Sequence, residues 1–290
     1  MICNSCPRKC DIDRKNTLGF CQSPERFRLA RAALHFWEEP CISGTNGSGT
    51  VFFSGCNLRC VYCQNYEISH DNKGREVSDD ELVVIFENLV SQGAHNINLV
   101  NPSHYAKQLA RVLTQWNSPV PIVYNTSGYD SADTLKMLDG LVDIYLTDFK
   151  YIRADKAAKY SKAGDYPEIV KAAIAEMRHQ LPHDEFDENG IMKKGIIVRH
   201  LILPQNTNSS VEIIDHLANN YPNTYLSLMA QYTPYGNLES TPELSRKITE
   251  REYDKVVNHA LSKGLENIFI QDMTSADKKF IPAFDFTGIM

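Results

Sequence analysis

The sequence predicts an α/β protein in which a partial (β/α)6 barrel follows a small, cysteine-rich N-terminal lobe. Two observations carry this prediction. Strand and helix patterns alternate from residue 50 onward, and seven of the eight cysteines fall into two tight groups within the first 63 residues. Alternation of this kind implies parallel strands joined by right-handed crossovers. A chain of 290 residues is long enough to form one such barrel with a large core.

The composition is that of an ordinary globular protein. With 42% hydrophobic and 23% charged residues, disordered, collagenous and coiled-coil chains are excluded. The formal net charge of −6 argues against extensive contact with a phosphate backbone, so no nucleic-acid partner is expected. There is no apolar run of about 18 residues and no apolar signal-peptide core. We therefore expect a cytoplasmic protein that does not contact a membrane.

The first 49 residues differ in composition from the rest of the chain. They contain five cysteines, several basic residues and the Gly-rich stretch 43–49, with little apolar periodicity. This pattern predicts a metal-stapled lobe followed by a loop. The predicted organisation is therefore a Cys-rich lobe with a Gly-rich loop over 1–49, and a barrel with a C-terminal extension over 50–290.

The first half of the barrel is marked by two strand patterns and two helix patterns. Residues 50–53 form a short β-branched and aromatic run that stops at a Ser-Gly pair. The capping box Ser78–Glu81 opens an amphipathic helix that Gly93 closes. Residues 96–100 are the next strand, and a helix to about Trp116 follows. The order strand, helix, strand, helix is that of successive βα units.

The second half continues the alternation. An amphipathic helix is predicted near 166–181, and a second capping box, Thr249–Glu252, opens a helix that stops near Gly264. The acidic stretch 183–190 lacks periodicity and predicts a solvated connection. Further strands are predicted over 121–125, 143–147, 195–203, 225–229 and, as a short seventh, 267–270.

Polar residues follow the predicted strands where each strand ends. In a barrel of parallel strands, chemistry takes place at these carboxyl ends. Arg199 and His200 alternate along one strand, so at most one of them faces the interior. An ion pair is the structural alternative for Asp148 and Lys150, and a hydrogen-bonded core histidine is the alternative for His200. The strand-end candidates are Asn101, Asn125, Thr126, Ser127, Asp148, Lys150, Arg199, His200 and Gln231.

Cys56, Cys60 and Cys63 are spaced C-x3-C-x2-C directly after the first barrel strand. Three thiolates on one short loop can each bind an iron of a 4Fe–4S cubane, which leaves the fourth iron open to a small molecule. A structural zinc site requires four ligands and closure around the metal. The alternative for this triad is therefore a zinc site that also uses Cys41.

A second group, Cys3, Cys6, Cys10 and Cys21, is spaced C-x2-C-x3-C-x10-C. In a reducing compartment, tight cysteine clusters indicate metal sites before disulfides. Four ligands in about twenty residues with little apolar support predict a structural site for zinc or iron. The alternative is a second iron–sulfur cluster that passes electrons.

The triad loop resembles that of the radical S-adenosylmethionine superfamily. The resemblance implies that Cys56, Cys60 and Cys63 hold a 4Fe–4S cluster, whose open iron binds S-adenosylmethionine. It also implies reductive cleavage of that cofactor to a 5′-deoxyadenosyl radical that abstracts a hydrogen atom. The residues implied to bind the cofactor are Tyr62 near the adenine, Asn101 or Ser103 at the amino group, Asn125, Thr126 and Ser127 at the ribose or carboxylate, and Asp148, Lys150, Arg199 and His200.

A closer resemblance is to the pyruvate formate-lyase-activating enzymes, over roughly residues 50–235. The N-terminal cysteines and the stretch 35–40 resemble an extended branch of that group. The resemblance implies an oxidoreductase of anaerobic metabolism that abstracts a hydrogen from a glycine of a glycyl-radical enzyme. A flavodoxin- or ferredoxin-like protein would supply the electron. The segments that carry the resemblance are 52–65, 126–128, 148–150 and 198–204.

The chain departs from that group at two places. The family's Gly-Gly-Glu stretch is replaced here by Asn101-Pro102-Ser103, which removes a charged acceptor for the cofactor's amino group. The ferredoxin-like insert that longer members carry after the triad is missing. Three other functions are therefore considered: a radical enzyme acting on a small molecule or another peptide, a nucleic-acid-modifying radical enzyme, and a zinc-bound interaction module.

Overall fold

The computed structural model describes residues 2–236, 238–276 and 282–289. It confirms the predicted α/β class, with a mostly parallel sheet that stays open rather than closing into a full barrel. The strands are β1 (Phe27–His35), β2 (Ser48–Phe53), β3 (Arg75–Val77), β4 (Ile97–Val100), β5 (Ile122–Thr126), β6 (Ile144–Asp148), β7 (Glu185–Phe186), β8 (Met192–Leu201), β9 (Tyr225–Met229) and β10 (Ile268–Ile270).

The helices fill the connections between the parallel strands. Both predicted capping boxes are present, with Ser78 and Thr249 accepting from the backbone of Glu81 and Glu252. No helix in the described ranges is long and apolar enough to cross a bilayer. The α-helices are α1 (Pro40–Ser43), α2 (Tyr66–Ser69), α3 (Asp79–Ser91), α4 (Ala106–Gln115), α5 (Ala132–Leu135), α6 (Ala154–Ser161), α7 (Tyr166–Gln180), α8 (Thr207–Asn220) and α9 (Glu250–Ser262).

The strand order is β10-β9-β8-β6-β5-β4-β2-β1-β3, and β7 pairs with β8 outside this path. From β2 to β10 the neighbours in this order are parallel, and these strands are the seven predicted from the sequence. Their carboxyl ends therefore lie along one edge of the sheet, as a barrel of βα units requires. The acidic stretch predicted as a loop contains β7, a two-residue strand antiparallel to β8.

The structure differs from the expected loop before residue 50. Strand β1 runs antiparallel to β2, with Ala33 opposite Thr50 and His35 opposite Ser48. Its arginines pair with acidic side chains, Arg28 with Glu76 at 2.9 Å. The arginines interrupt the apolar strand pattern of β1, so its pairing with β2 and β3, rather than local propensity, decides the structure. Residues 27–35 thus belong to the same sheet as the barrel strands.

The two faces of the sheet have different roles. Successive residues of a strand point to opposite faces, so Val51 packs in the large core under the helices while Phe52 lies on the other face. On that inner face, Val123 and Leu146 pack against Cys41 of helix α1. The inner face is therefore apolar toward the amino ends of the strands, which leaves its carboxyl ends for polar side chains.

Candidate active site

The triad loop connects β2 to α2 at the carboxyl end of the sheet. Cys56 and Cys60 are buried and Cys63 is half-buried. The backbone N–H groups of Leu58 and Arg59 donate to Cys56 Sγ at 3.3 and 3.4 Å. These donors stabilise negative charge on sulfur, which a metal-bound thiolate carries.

Burial controls the ionisation of these thiols. Burial, with charge on Cys60 as the second cause, raises the pKa of Cys56 to about 12 and that of Cys63 to about 11. Cys56 and Cys63 therefore stay protonated at neutral pH until a metal supplies positive charge, and metal binding releases their protons. Among the residues described, no three Cys, His, Asp or Glu side chains converge on a single metal ion. The thiolates of a cubane each bind a different iron, so this donor set fits a cluster.

Neighbouring elements hold the loop in its shape. Asn57 Nδ2 donates to the carbonyl of Tyr129 at 2.8 Å, and Asn101 Nδ2 donates to the carbonyl of Gly55 at 2.5 Å. Gly55 has a φ of +83°, and a Cβ there would overlap the Ser23 hydroxyl. Only glycine adopts this conformation without strain. The sequence Gly-Cys-Asn at the start of the loop is thus explained by backbone geometry.

A cavity of about 390 Å³ lies beside the loop, within the size range of small-molecule sites. All three triad cysteines line it. Ser127 Oγ is buried without a hydrogen-bond partner in the described chain, so it is available to a ligand. The predicted cofactor-binding residues that line the cavity are Tyr62, Asn101, Asn125, Thr126, Ser127, Asp148, Lys150 and Arg199.

Arg199 is the centre of a buried polar network on the cavity wall. Its Nε donates to Asp148 Oδ1 at 3.0 Å, and its Nη2 donates to Asn125 Oδ1 at 2.6 Å. Its third contact is from Nη1 to Glu38 Oε2 at 3.2 Å. Lys150 Nζ lies 2.5 Å from the other Asp148 oxygen. Two acids and two bases thus lie within one network, and the neighbouring Glu39 is a third acid whose charge acts on Arg199.

Glu38 is the site residue that the sequence did not reveal. It follows β1, which ends beside the first residue of β2, so the chain approaches from the amino ends of the parallel strands. Its Oε1 accepts from Asn98 and Asn125, each at 3.2 Å. The only sequence signal was an acidic pair, Glu38-Glu39, directly after an aromatic stretch. Pairing with Arg199 requires tertiary contacts that no local pattern encodes.

The charges in this network stabilise each other. Burial would raise the pKa of Asp148, but Lys150 and Arg199 outweigh it and lower that pKa below its usual value. Burial likewise opposes the charge on Lys150, while Asp148 and Cys60 raise its pKa. Lys150 therefore remains a cation positioned between Asp148 and the triad, where it favours negative charge on sulfur.

Two predicted cofactor-binding residues do not line the cavity. Ser103 is buried and hydrogen-bonds to Thr126 Oγ1 at 3.0 Å. His200 faces away from Arg199, with Nδ1 donating to the carbonyl of Phe149 at 2.7 Å and Nε2 accepting from Ser210 at 2.9 Å. The strand alternation that brings Arg199 to the cavity turns His200 toward the helices, so it is a core histidine.

The buried His200 makes stability depend on pH. Burial lowers its pKa to about 4, from an unfolded value of 6.5, so below pH 6.5 only the unfolded state takes up its proton. The free energy of unfolding should then fall by about 1.4 kcal/mol per pH unit for this residue. Urea titrations should show this as a changing difference between the wild type and His200→Gln. The free energy of unfolding of the wild type, relative to that variant, should fall by about 1.4 kcal/mol per pH unit between pH 6 and 4.5. A constant difference would contradict this prediction.

The N-terminal cysteines form a second group beside the site. Cys3, Cys6 and Cys21 are buried, and Cys10 is half-buried. Burial raises the pKa of Cys6 to about 12, and charge on Cys21, Cys3 and Cys10 contributes to that value. The four cysteines are therefore neighbours, and the second metal site stays a prediction.

Comparisons with known proteins agree with this architecture. Residues 50–183 match the family model described as the Radical SAM superfamily. The chain is 28% identical to Uncharacterized protein MJ0674 of Methanocaldococcus jannaschii over 277 residues, 92% of this chain and 76% of that protein.

Among solved structures, the chain resembles the FeFe-hydrogenase maturase HydG of Carboxydothermus hydrogenoformans, with a TM-score of 0.51 and 15% identity. The similarity covers 80% of this chain, which spans only 56% of the HydG chain. At this identity the likeness concerns the fold alone. The family-model match over residues 50–183 agrees with the predicted resemblance to the radical S-adenosylmethionine superfamily, and the narrower activating-enzyme group stays a prediction.

Proposed function

We propose that this chain, with its match to the Radical SAM superfamily, is an enzyme that cleaves S-adenosylmethionine reductively and abstracts a hydrogen atom from its substrate. The observation that carries the proposal is the C-x3-C-x2-C loop of buried thiols opening onto a cavity lined by strand-end polar residues. The proposed cofactors are a 4Fe–4S cluster, S-adenosylmethionine, and a second metal, zinc or iron, in the N-terminal lobe. When bound, the cluster and S-adenosylmethionine supply an electron and a carbon-centred radical.

The chain's own residues would bind and orient the cluster and S-adenosylmethionine. Cys56, Cys60 and Cys63 would hold the cluster, and the Ser161 hydroxyl donates to Cys60 Sγ at 3.0 Å. The free Ser127 hydroxyl is placed to hydrogen-bond a cofactor. Asn101 instead uses its amide to hold Gly55, so it supports the loop.

The network around Arg199 places fixed charges on the cavity wall. Arg199 and Asp148 have side chains that are 14% and 11% exposed, so both remain largely desolvated on the cavity wall. Lys150 adds a cation near the triad thiolates. Fixed charges in a water-poor site bind polar ligands more strongly than the same charges in solvent. A hydrogen donor and S-adenosylmethionine would therefore be positioned by charges that are already in place.

The proposed hydrogen donor is a glycine Cα of a glycyl-radical enzyme, with a flavodoxin- or ferredoxin-like electron donor. The motifs at 52–65, 126–128, 148–150 and 198–204 support this substrate through their resemblance to activating enzymes. A glycine loop has no side chain and can approach closely in a cavity of about 390 Å³. The same volume also suits a small molecule or another peptide, which is the alternative substrate class.

Isotope transfer distinguishes these substrates. The reconstituted enzyme is reduced without oxygen and mixed with S-adenosylmethionine and a panel of glycyl-radical enzymes carrying α-deuterated glycine. We expect deuterium in 5′-deoxyadenosine and a glycyl radical in the electron paramagnetic resonance (EPR) spectrum of one partner. A Gly→Ala variant of that partner is the control. If 5′-deoxyadenosine forms at the same rate with each partner as without any partner, and carries no deuterium, the glycine substrate is wrong. The small-molecule alternative then takes its place.

A further inference from the structure

The N-terminal lobe contains a buried arginine without a carboxylate partner. Arg14 is 6% exposed, its Nη2 lies 3.5 Å from Cys21 Sγ, and its guanidinium lies 5.5 Å from the centre of the Tyr105 ring. Cys3 is also close enough to interact with it electrostatically. No described Asp or Glu forms an ion pair with Arg14, and its Nη1 has no hydrogen-bond partner in the described residues.

Such a residue is unfavourable unless negative charge is nearby. An unpaired buried ion costs several kcal/mol, and charged side chains are almost never buried without a partner. Neutral thiols do not compensate a guanidinium. Thiolates do, and the groups nearest to Arg14 are cysteines.

We propose that Cys3, Cys6, Cys10 and Cys21 hold one iron–sulfur cluster, that Arg14 balances its excess negative charge, and that this cluster holds the triad loop in place. The inference deepens the second-metal part of the proposed function and does not depend on cleavage of S-adenosylmethionine. The described cysteines do not converge on a single metal ion, whereas each thiolate of a cubane binds a different iron, so the donor set fits a cluster rather than zinc. Four thiolates around an oxidised 4Fe–4S cluster carry a net double negative charge. A buried cation beside them is therefore favourable.

The lobe has little else to hold it together. Residues 2–26 contain no helix or extended strand in the described structure, only an isolated bridge between Ile2 and Asp13. The backbone of Cys3 pairs with Ile12 and Asp11 at 2.7 and 3.0 Å. Short segments of this kind fold stably when a metal or disulfides cross-link them. The four cysteines are free thiols in the structure, so the metal is the remaining staple.

Arg8, between the second and third cysteines of the lobe, contacts the triad loop directly. Its Nε donates to the carbonyl of Asn57 at 2.8 Å, and its Nη2 donates to the carbonyl of Ser161 at 2.9 Å. Ser161 in turn donates to Cys60 Sγ at 3.0 Å. A residue inside the lobe therefore fixes both the backbone after Cys56 and the hydroxyl that contacts Cys60.

Phe20, the neighbour of Cys21, makes the second connection. Its carbonyl accepts from Arg59 Nη1 at 3.2 Å, and the Arg8 guanidinium stacks 3.9 Å from its ring centre. Arg59 has a φ of +49°, a conformation that a non-glycine residue keeps only when its surroundings hold it. Loss of the lobe metal should thus loosen the loop around Arg59.

The test uses the full chain with the triad removed, as Cys56→Ala, Cys60→Ala and Cys63→Ala together. It is loaded with iron and sulfide without oxygen, and iron and sulfide per chain are measured together with the absorption spectrum. We expect about one iron–sulfur cluster per folded chain. Adding Cys6→Ala should remove it, whereas adding Cys41→Ser, a buried cysteine outside both groups, should not.

Arg14 is tested by chelator competition in the same background. Arg14→Met should weaken metal retention at least about tenfold, in the range for residues that support metal ligands, and Arg14→Lys, which keeps the charge, should weaken it less. Coupling to the loop is measured with the triad intact. The single variant Cys6→Ala should be cleaved faster at Arg59 than the wild type.

Two results would overturn the inference. The first is a folded triad variant, judged by circular dichroism, that takes up no stoichiometric iron and sulfide. The second is cluster uptake that Cys6→Ala leaves unchanged. If the triad variant does not fold, iron uptake by Cys6→Ala and Cys41→Ser in the wild-type background decides the same question, because only Cys6→Ala should lose one cluster. Equal uptake by these two variants would refute the lobe site, whether or not the enzyme cleaves S-adenosylmethionine.

Discussion

Replacing Cys60 with alanine is expected to abolish both the 4Fe–4S cluster and the formation of 5′-deoxyadenosine. Cys60 is one of three thiols in the loop after β2, of which it and Cys56 are buried, so its loss leaves two ligands for the cluster. Mutating residues that only support metal ligands costs about 10–100-fold, and loss of a ligand itself should exceed that range. The measurement is iron content together with 5′-deoxyadenosine produced per chain after anaerobic reconstitution.

Cys41→Ala is the matched control, because Cys41 is buried among Ile42 and Val123 on the inner face rather than in the triad loop. We expect this variant to keep its iron and its product formation. If Cys60→Ala retained the cluster and formed product at the wild-type rate, the assignment of the triad would be wrong.

Replacing Arg199 with alanine is expected to destabilise the protein strongly. Its side chain is 14% exposed and bridges Glu38 and Asp148, so removing it leaves the buried Glu38 without its cation and Asp148 with Lys150 alone. Breaking a buried ion pair in this way costs about 3–5 kcal/mol. Urea unfolding at pH 7 should show that loss in the free energy of unfolding. Glu38→Gln keeps a side chain of nearly the same size and removes its negative charge, so it should lower the free energy of unfolding by less.

Arg153→Ala provides the comparison, since Arg153 pairs with Glu212 at the surface, where both side chains are more than 40% exposed. Exposed pairs are screened by water, so this variant should unfold at nearly the wild-type urea concentration. Similar urea midpoints for Arg199→Ala and Arg153→Ala would contradict the description of a tightly coupled network.

The parallel strands could be predicted because burial on both faces makes them short apolar runs, and each of the seven runs lies in a strand of the structure. Strand β1 could not, because Arg28 and Arg31 break its apolar pattern. Their charges are compensated by Glu76 and Asp285, which are distant in sequence. Such pairing becomes visible only when the fold is known.

The cavity residues show the same division. Asn125, Asp148 and Arg199 could be predicted because parallel strands place their carboxyl ends side by side. Glu38 could not, because it reaches the site from a segment before the first parallel strand. The alternation rule indicated that one of Arg199 and His200 faces inward, but choosing between them required the packing of His200 against Ser210.

The most direct test of the central claim is an anaerobic EPR measurement on the wild-type chain. The protein is reconstituted with iron and sulfide, reduced with dithionite, and measured with and without S-adenosylmethionine, followed by an assay for 5′-deoxyadenosine. The account predicts a reduced-cluster signal that shifts when S-adenosylmethionine is added, together with product. A folded protein that binds only zinc, shows no cluster signal and forms no 5′-deoxyadenosine would contradict it, and the zinc-bound interaction module would then be the better description.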